Sequence, residues 1–400
     1  MALAAWISLG AAALLLRVGF ALYLCGISRA KTAGSAVFRA VGETAVGIVA
    51  FWAFGAAILT GSPKLIFGLG AQFPDSLLFP AAIALISSTA ITGATLERSK
   101  PVVWVAGAIL MSGLITPLAW HFAWSPWLGG MGFYDLAGAS FLYFAGGIAA
   151  AVAAIAVGAR SGKYNRDGST NAILGHNVPF ATTGALIVLA MWPAIISGFV
   201  LMKFDWAGTA LPQSVEPVVF NCVLAGAAGT ISAMLYSRLR HSKLDPYLVY
   251  LGLLGGLVSI AAGADLFATP FAFLTGAIAG IVVPYAAVFI ELIFKIDDPS
   301  GAIAVGAVGG AWSMLAATLF ARGTLGEHLH RLMGQCLGLG LIGLITVAIS
   351  ATVFVAIRAA IGIRAIEADE IDGLDLAEHD MNAYPDFPQT MIKSYHLREM

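Results

Sequence analysis

The sequence has few charged residues. Lys, Arg, Asp and Glu make up 11% of its 400 residues and hydrophobic residues 59%, whereas an average soluble chain is about 25% charged. This composition excludes an ordinary soluble enzyme. The 21 basic and 22 acidic residues leave a formal charge of −1, so there is no basic surplus to bind a nucleic-acid backbone. We therefore expect no nucleic-acid partner.

Cysteine is also scarce. Cys25, Cys222 and Cys336 lie in separate apolar runs, which fits neither a disulfide framework nor a zinc site. They are most simply small packing residues. No nucleophile with a base, cluster of metal ligands or phosphate-binding loop stands out. We expect no enzymatic activity, no cofactor and no metal.

Long hydrophobic runs fill most of the chain. A membrane-crossing helix needs about 20 mostly apolar residues, because its backbone polar groups must pair within the helix. This criterion predicts an all-α polytopic membrane protein with eleven transmembrane helices. The predicted spans are 4–28, 36–60, 77–96, 101–120, 136–158, 178–202, 215–236, 247–262, 270–294, 302–320 and 332–361.

The placement of Lys and Arg predicts the orientation. Twelve of them lie in the loops after spans one, three, five, seven and nine, against four in the alternate loops. Because basic loops stay in the cytoplasm, we expect the N-terminus outside the inner (plasma) membrane and the C-terminus in the cytoplasm. The first span lacks a basic start and an A-x-A site, so we expect it to be retained and not cleaved as a signal peptide.

An internal repeat opens spans five and ten. Segments 135–147 and 298–310 share the pattern D-x-[AS]-G-A, followed seven residues later by two glycines. Chance similarity between two Gly/Ala-rich helices is the alternative, but the shared aspartates argue against it. If the two spans start on opposite sides, the chain holds an inverted 5+5 repeat plus an eleventh helix, as in transporters whose substrate path runs between the halves.

The predicted domains follow from this repeat. Residues 1–363 form the membrane domain, with repeat one at about 1–160, repeat two at about 170–322 and the last helix at about 332–361. Residues 364–400 form a cytoplasmic tail rich in Asp and Glu. Composition alone favours a merely solvated tail.

Several further motifs accompany the repeat in a specific order. They are segment 19–23 with Arg29 and Lys31, segments 93–98, 176–179 and 297–299, and tail segment 370–375 with His379 and Tyr384. With them the chain resembles the Amt/Mep/Rh ammonium transporter family over nearly its whole length. The resemblance implies a homotrimer in which each eleven-helix subunit has a narrow hydrophobic pore. Ammonium would be recruited, deprotonated and passed by two histidines.

The two histidines are missing from this chain. Tyr143 and Gly306 stand at their positions, so it would be a divergent member without the twin histidines. A phenol, with a reference pKa near 10, is a poor proton relay at neutral pH compared with imidazole. The seven histidines of the chain are predicted elsewhere. His121 lies at the end of span four, and the others lie in loops or the tail: His176, His241, His328, His330, His379 and His396.

Other pore positions implied by the resemblance are also changed. The two gate phenylalanines correspond to Ile83 and Ile195, and the vestibule serine to Phe199. The vestibule tryptophan corresponds to Trp124 after a shift of one residue. Asp135 is retained. It would support the recruitment site from behind, or it serves as the N-cap of span five, which aspartate favours.

Arg17 and Glu43 are charges within predicted spans one and two. Such charges are costly in lipid unless they face protein and pair. We predict a buried structural ion pair between them; a functional site, or separate partners for each, is the alternative.

The tail retains residues of the family pattern. The resemblance implies that it crosses the cytoplasmic face, couples subunits and supports control by a PII-type signalling protein. Gly373, Asp375, His379 and Tyr384 predict a docked regulatory tail.

Two functions remain in competition. The first is a membrane channel of the ammonium transporter family, which passively moves ammonium, ammonia or another small neutral molecule with an altered or impaired mechanism. The second is a non-conducting ammonium sensor or regulatory subunit that signals through the tail.

Overall fold

The computed structural model describes residues 3–68, 76–207 and 214–385, and these ranges hold helices and turns but no β-strand. The long helices are α1 (Leu3–Ile27), α2 (Ala30–Thr60), α3 (Leu78–Ala94), α4 (Pro101–Ala123), α5 (Ala139–Val157), α6 (Val178–Ala207), α7 (Glu216–His241), α8 (Pro246–Ser259), α9 (Thr269–Phe294), α10 (Ala304–Leu319) and α11 (Leu325–Ile361). Short helical segments are Pro63–Gly68, Pro126–Gly130, Glu367–Asp372 and Leu374–His379.

Eight of the long helices are long and apolar enough to cross a membrane, and α3, α8 and α10 are shorter apolar helices. The prediction of an all-helical polytopic membrane protein is therefore confirmed in its main point. The count of eleven spans remains a prediction, and so does the inverted repeat.

Small residues let the helices approach closely. α1 packs along α6, where a Cβ on Gly184 would lie 2.3 Å from the backbone nitrogen of Tyr23 and 2.4 Å from the oxygen of Gly19. Lipid gives no hydrophobic force between helices, so such close packing has to hold them together.

α5 and α10 begin in the same way. Gly138 and Gly301, each three residues after an aspartate, have φ of +83° and +72°, a conformation that costs glycine little. A π-helical turn follows in each helix, Ala139–Phe144 and Ala304–Val308. α5 starts three residues later than predicted, because the left-handed Gly138 must precede the first turn. The helical residues of the tenth span begin at 302, as predicted, directly after Gly301.

α11 begins at Leu325, seven residues before the predicted start at 332. Thr324 and Glu327 form a capping box, which satisfies free backbone N–H groups at the helix start. Three histidines that were predicted in loops are helical: His328 and His330 in α11 and His241 at the end of α7. His379 lies in the tail as predicted, within helix Leu374–His379. His396 lies outside the described residues.

Candidate functional site

A cavity lies among α1, α3, α5, α6, α8 and α10. Its volume is about 70 Å³, roughly five times what one water molecule needs. The lining side chains are apolar, aromatic or uncharged polar: Phe20, Tyr23, Leu24, Ile86, Ser87, Thr89, Ala90, Leu142, Tyr143, Trp192, Leu254, Val258, Ser300, Ala302, Val305 and Gly306. We call this space the central cavity. Its wall carries no carboxylate, imidazole or ammonium group.

Tyr143 and Trp192 form one side of the central cavity. Their rings stack with centroids 5.5 Å apart and an interplanar angle of 22°. Both side chains are buried, and neither the Tyr143 hydroxyl nor the Trp192 indole nitrogen has a hydrogen-bond partner among the described residues. Buried polar groups are normally paired, so two unpaired polar groups side by side are unusual.

Gly306 lies where α5 and α10 cross. A Cβ at Gly306 would lie 2.6 Å from the backbone oxygen of Tyr143 and 2.9 Å from Cα of Gly147. The two helices therefore meet backbone to backbone at this point. A histidine could not be placed here without moving one helix.

Seven residues beyond Trp192 along α6, Phe199 packs in a cluster of aromatic rings. Trp120 stacks on Phe141 with centroids 4.7 Å apart, and the Phe199 ring lies 5.2 Å from Trp120 and 5.5 Å from Phe79. We call Trp120, Trp124, Phe141, Phe199 and Trp206 the aromatic mouth. Sequence reasoning missed Trp120, Phe141 and Trp206, because their contacts join three different helices.

The two predicted gate positions, Ile83 and Ile195, and the predicted vestibule position, Phe199, are fully buried. Ile83, Ile195 and Phe199 have no exposed surface, and none of them lines the central cavity. Phe199 belongs to the aromatic mouth and fills it. The Phe199 ring is therefore packed inside the aromatic mouth and has no exposed surface of its own.

Asp135 lies behind the aromatic mouth. Its carboxylate accepts hydrogen bonds from the backbone nitrogens of Gly138, Ala139 and Ser140 at 2.7 to 3.0 Å and from the Ser140 hydroxyl at 2.6 Å. The Trp124 indole donates to the backbone oxygen of Asp135 at 2.9 Å. Asp135 thus caps α5 with its carboxylate and holds Trp124 with its backbone oxygen.

Asp298 makes the corresponding cap at α10. Its carboxylate accepts from the Ile303 nitrogen at 2.7 Å and from the Ser300 hydroxyl at 3.0 Å. Tyr23 donates to the backbone oxygen of Ser300 at 3.0 Å, so one wall of the central cavity is held to this turn.

Arg17 and Glu43 form a buried ion pair between α1 and α2. Arg17 also donates to the Thr44 hydroxyl at 2.7 Å, and on α3 to the Leu85 backbone oxygen at 2.6 Å and the Thr89 hydroxyl at 2.7 Å. Thr89 lines the central cavity. The pair therefore joins three helices and holds one hydroxyl of the cavity wall.

The tail packs on the surface where α1 ends and α2 begins. We call this surface the tail face. Asp375 accepts from the backbone nitrogens of Gly34 and Ser35 at 2.9 and 2.6 Å. Gly373 has φ +107°, and a Cβ there would lie 2.4 Å from the Lys31 oxygen. These contacts fix the tail residues up to the end of helix Leu374–His379.

His379 and Tyr384 contact the same face. The His379 ring meets Phe38 with centroids 4.8 Å apart, and the Tyr384 hydroxyl lies 2.8 Å from Nε2 of His176. His176 in turn donates through Nδ1 to the Ser28 oxygen at 2.8 Å. The described part of the tail is therefore packed, and residues 386–400 of the predicted tail lie outside the described residues.

Buried charges connect the loops of the tail face. Arg160 holds Asp297 through two side-chain hydrogen bonds of 2.8 and 2.9 Å, and Glu97 accepts from Arg29 at 2.5 Å. Burial alone would raise the pKa of Asp297, but the hydrogen bonds and charge of Arg160 hold it below its usual range. In the sequence, Arg29, Glu97 and Asp297 stand out only as parts of the family motifs and Arg160 only as a basic loop residue. Their pairing is not readable from spacing.

Comparison with known proteins gives a consistent result. The sequence pattern of the Ammonium Transporter Family matches residues 5–384. The chain is 32% identical to the ammonium transporter Amt1 of Haloferax mediterranei, over 92% of this chain and 76% of that protein. It is 30% identical to Amt2 of Archaeoglobus fulgidus, over 93% of this chain and 86% of that protein.

Solved structures share the fold. The structure titled "Sensor Amt Protein" aligns with a TM-score of 0.85 and 29% identity, covering 94% of this chain and 98% of that one. The structure of Mep2 from Candida albicans aligns with a TM-score of 0.79 and 22% identity, covering 97% of this chain and 91% of that one. At this identity the match supports a shared fold only. With its apolar helices and these matches, the chain is a polytopic membrane protein that belongs to the ammonium transporter family.

Proposed function

We propose that the chain is a channel that passively moves ammonia, or a similarly small neutral molecule, through the membrane. The observation that carries the proposal is the central cavity, whose described wall offers only uncharged hydrogen-bonding groups. Two of its lining residues, Tyr143 and Trp192, have a polar group without a hydrogen-bond partner among the described residues. A neutral molecule enters such a space at far lower cost than an ion.

The altered residues change the mechanism. Imidazole at two adjacent positions could carry a proton along the path, but Tyr143 and Gly306 provide none. Ammonium recruited near Trp124 would transfer its proton to water on the outer side, and ammonia alone would pass. Transport then moves no net charge and produces no current. It requires an opening step in which the Phe199 ring rotates out of the aromatic mouth.

The architecture behind this proposal is the eleven-span inverted repeat. The equal caps made by Asp135 and Asp298, the left-handed glycines that follow and the π-helical turns of α5 and α10 support it. By family resemblance we further propose a homotrimer in the plasma membrane, with the tail in the cytoplasm and available to a PII-type signalling protein.

A second candidate is an ammonium sensor or regulatory subunit. The filled aromatic mouth favours it, since Phe199 blocks entry, and the packed tail offers an output. The similarity to the structure titled "Sensor Amt Protein" points in the same direction.

Reconstituted liposomes distinguish the two functions. With a pH-sensitive dye inside and an ammonium chloride pulse outside, we expect faster internal alkalinisation than in empty liposomes of the same lipid, without current. Phe199→Ala removes the ring that fills the mouth and should increase the rate severalfold. Phe180→Ala, at an exposed position of the same helix, is the matched control and should leave the rate unchanged.

The contrary outcome is equally definite. If wild type and Phe199→Ala both match empty liposomes in pH change and current, the channel proposal fails and the sensor function replaces it. An ammonium-dependent current would instead contradict the neutral mechanism.

A further inference from the structure

Lys203 lies on the inward face of α6 beside the aromatic mouth. It follows Phe199 by four residues and precedes Trp206 by three, so the three side chains share one helix face. Its Nζ is 3.6 Å from the centroid of the Tyr134 ring, well within the range of cation–π attraction. A positive charge therefore already lies beside the mouth through which ammonium would be recruited.

Tyr134 is held rigidly for this contact. Its hydroxyl donates to the Asp265 carboxylate, and the Gln335 amide of α11 donates to its backbone oxygen at 2.8 Å. Burial first, and the nearby Asp265 carboxylate second, raise the pKa of the Tyr134 phenol. The phenol thus stays a neutral donor with its π face fixed towards Lys203.

An exposed carboxylate adds to the attraction for a cation. Asp265 accepts the Tyr134 hydroxyl and is exposed, so its negative charge lies beside the ring. We call the Tyr134 ring and Asp265 together the Tyr134 pocket.

The group that occupies the pocket is itself an ammonium. The end of a lysine side chain is a primary alkylammonium with three N–H donors, and it differs from the free ammonium ion by one carbon substituent. A tethered group is present at high effective concentration, which a free competitor has to overcome.

We propose that the Tyr134 pocket is a binding site for ammonium-type cations in which Lys203 acts as a built-in competitor, so that free ammonium binds only when the lysine side chain leaves the ring. This inference rests on the proposed function in one respect, that ammonium reaches the mouth. It assigns to Lys203 and Tyr134 control over recruitment.

Calorimetric titration of the purified full chain tests the proposal. Ammonium chloride and methylammonium chloride are titrated at constant ionic strength, with sodium chloride as the reference salt. Lys203→Met removes the tethered charge at similar length, and we expect it to tighten ammonium binding about tenfold or more. Lys203→Arg keeps a cation on the ring and should bind like the wild type.

A second variant separates the pocket from general charge repulsion. In Lys203→Met/Tyr134→Leu the ring is absent, so the gain in affinity should disappear. An unchanged affinity in Lys203→Met, or a gain that persists without the ring, overturns the proposal. If Lys203→Met binds ammonium more tightly but the liposomes show no transport, the channel proposal alone is rejected. If the liposomes show transport but Lys203→Met binds ammonium no more tightly than the wild type, the Tyr134 pocket alone is rejected.

Discussion

At the residue scale, Gly306 determines how closely α5 and α10 cross. Its missing side chain lets α10 touch the backbone of α5 at Tyr143 and Gly147, so Gly306→Ala must push the helices apart. We expect a loss of about 1 to 3 kcal/mol in stability, measured as a lower thermal unfolding temperature. Gly309→Ala is the matched control, because a Cβ there meets its nearest neighbour at 3.5 Å; equal melting of the two variants would contradict the close crossing.

The charged residues in the helices differ in how far the sequence reveals them. Pairing of Arg17 with Glu43 could be predicted, because an unpaired charge is so costly in lipid. Their hydroxyl partner Thr89 could not, since threonine is common in apolar helices. Nor could the contact of Lys203 with Tyr134 be foreseen, because it joins a helix to a loop far away in sequence.

At the scale of elements, Asp375 attaches the tail to the beginning of α2. Asp375 caps the first turn after residue 33 through the Gly34 and Ser35 nitrogens, a favourable position for a negative charge. Asp375→Asn should weaken this contact and increase hydrogen exchange of residues 362–385. Asp372→Asn changes an exposed acid in the same segment and should leave exchange as in the wild type; equal exchange in all three proteins would reject the role of Asp375.

The helices were more predictable than their ends. Apolar length alone located them, because a lipid-spanning segment must satisfy its own backbone. The capping box of Thr324 and Glu327 is a signal for the start of α11 that can be read from the sequence, and apolar length alone misses it. The π-helical turns of α5 and α10 have no such signal, since they arise from close packing between two helices.

At the scale of the whole molecule, basic side chains distinguish two faces. The loops with most Lys and Arg lie at the tail face or beside it, as the contact of Arg160 with Asp297 illustrates. Arg322 and Asp265 lie at the opposite face, near the ends of α10 and α8. Because basic loops resist translocation, this asymmetry argues that the tail face is cytoplasmic.

Cysteine labelling of intact cells tests that orientation. Cys25 and Cys222 are buried and Cys336 is exposed, so Cys336→Ser gives a background with little reactivity. In it, Arg322→Cys should react with a membrane-impermeant maleimide in intact cells, and Lys243→Cys, at the exposed turn between α7 and α8, only after lysis. The reverse pattern would place the tail outside. If both cysteines react in intact cells, both turns lie outside the cell. That outcome would contradict the assignment of the two turns to opposite faces.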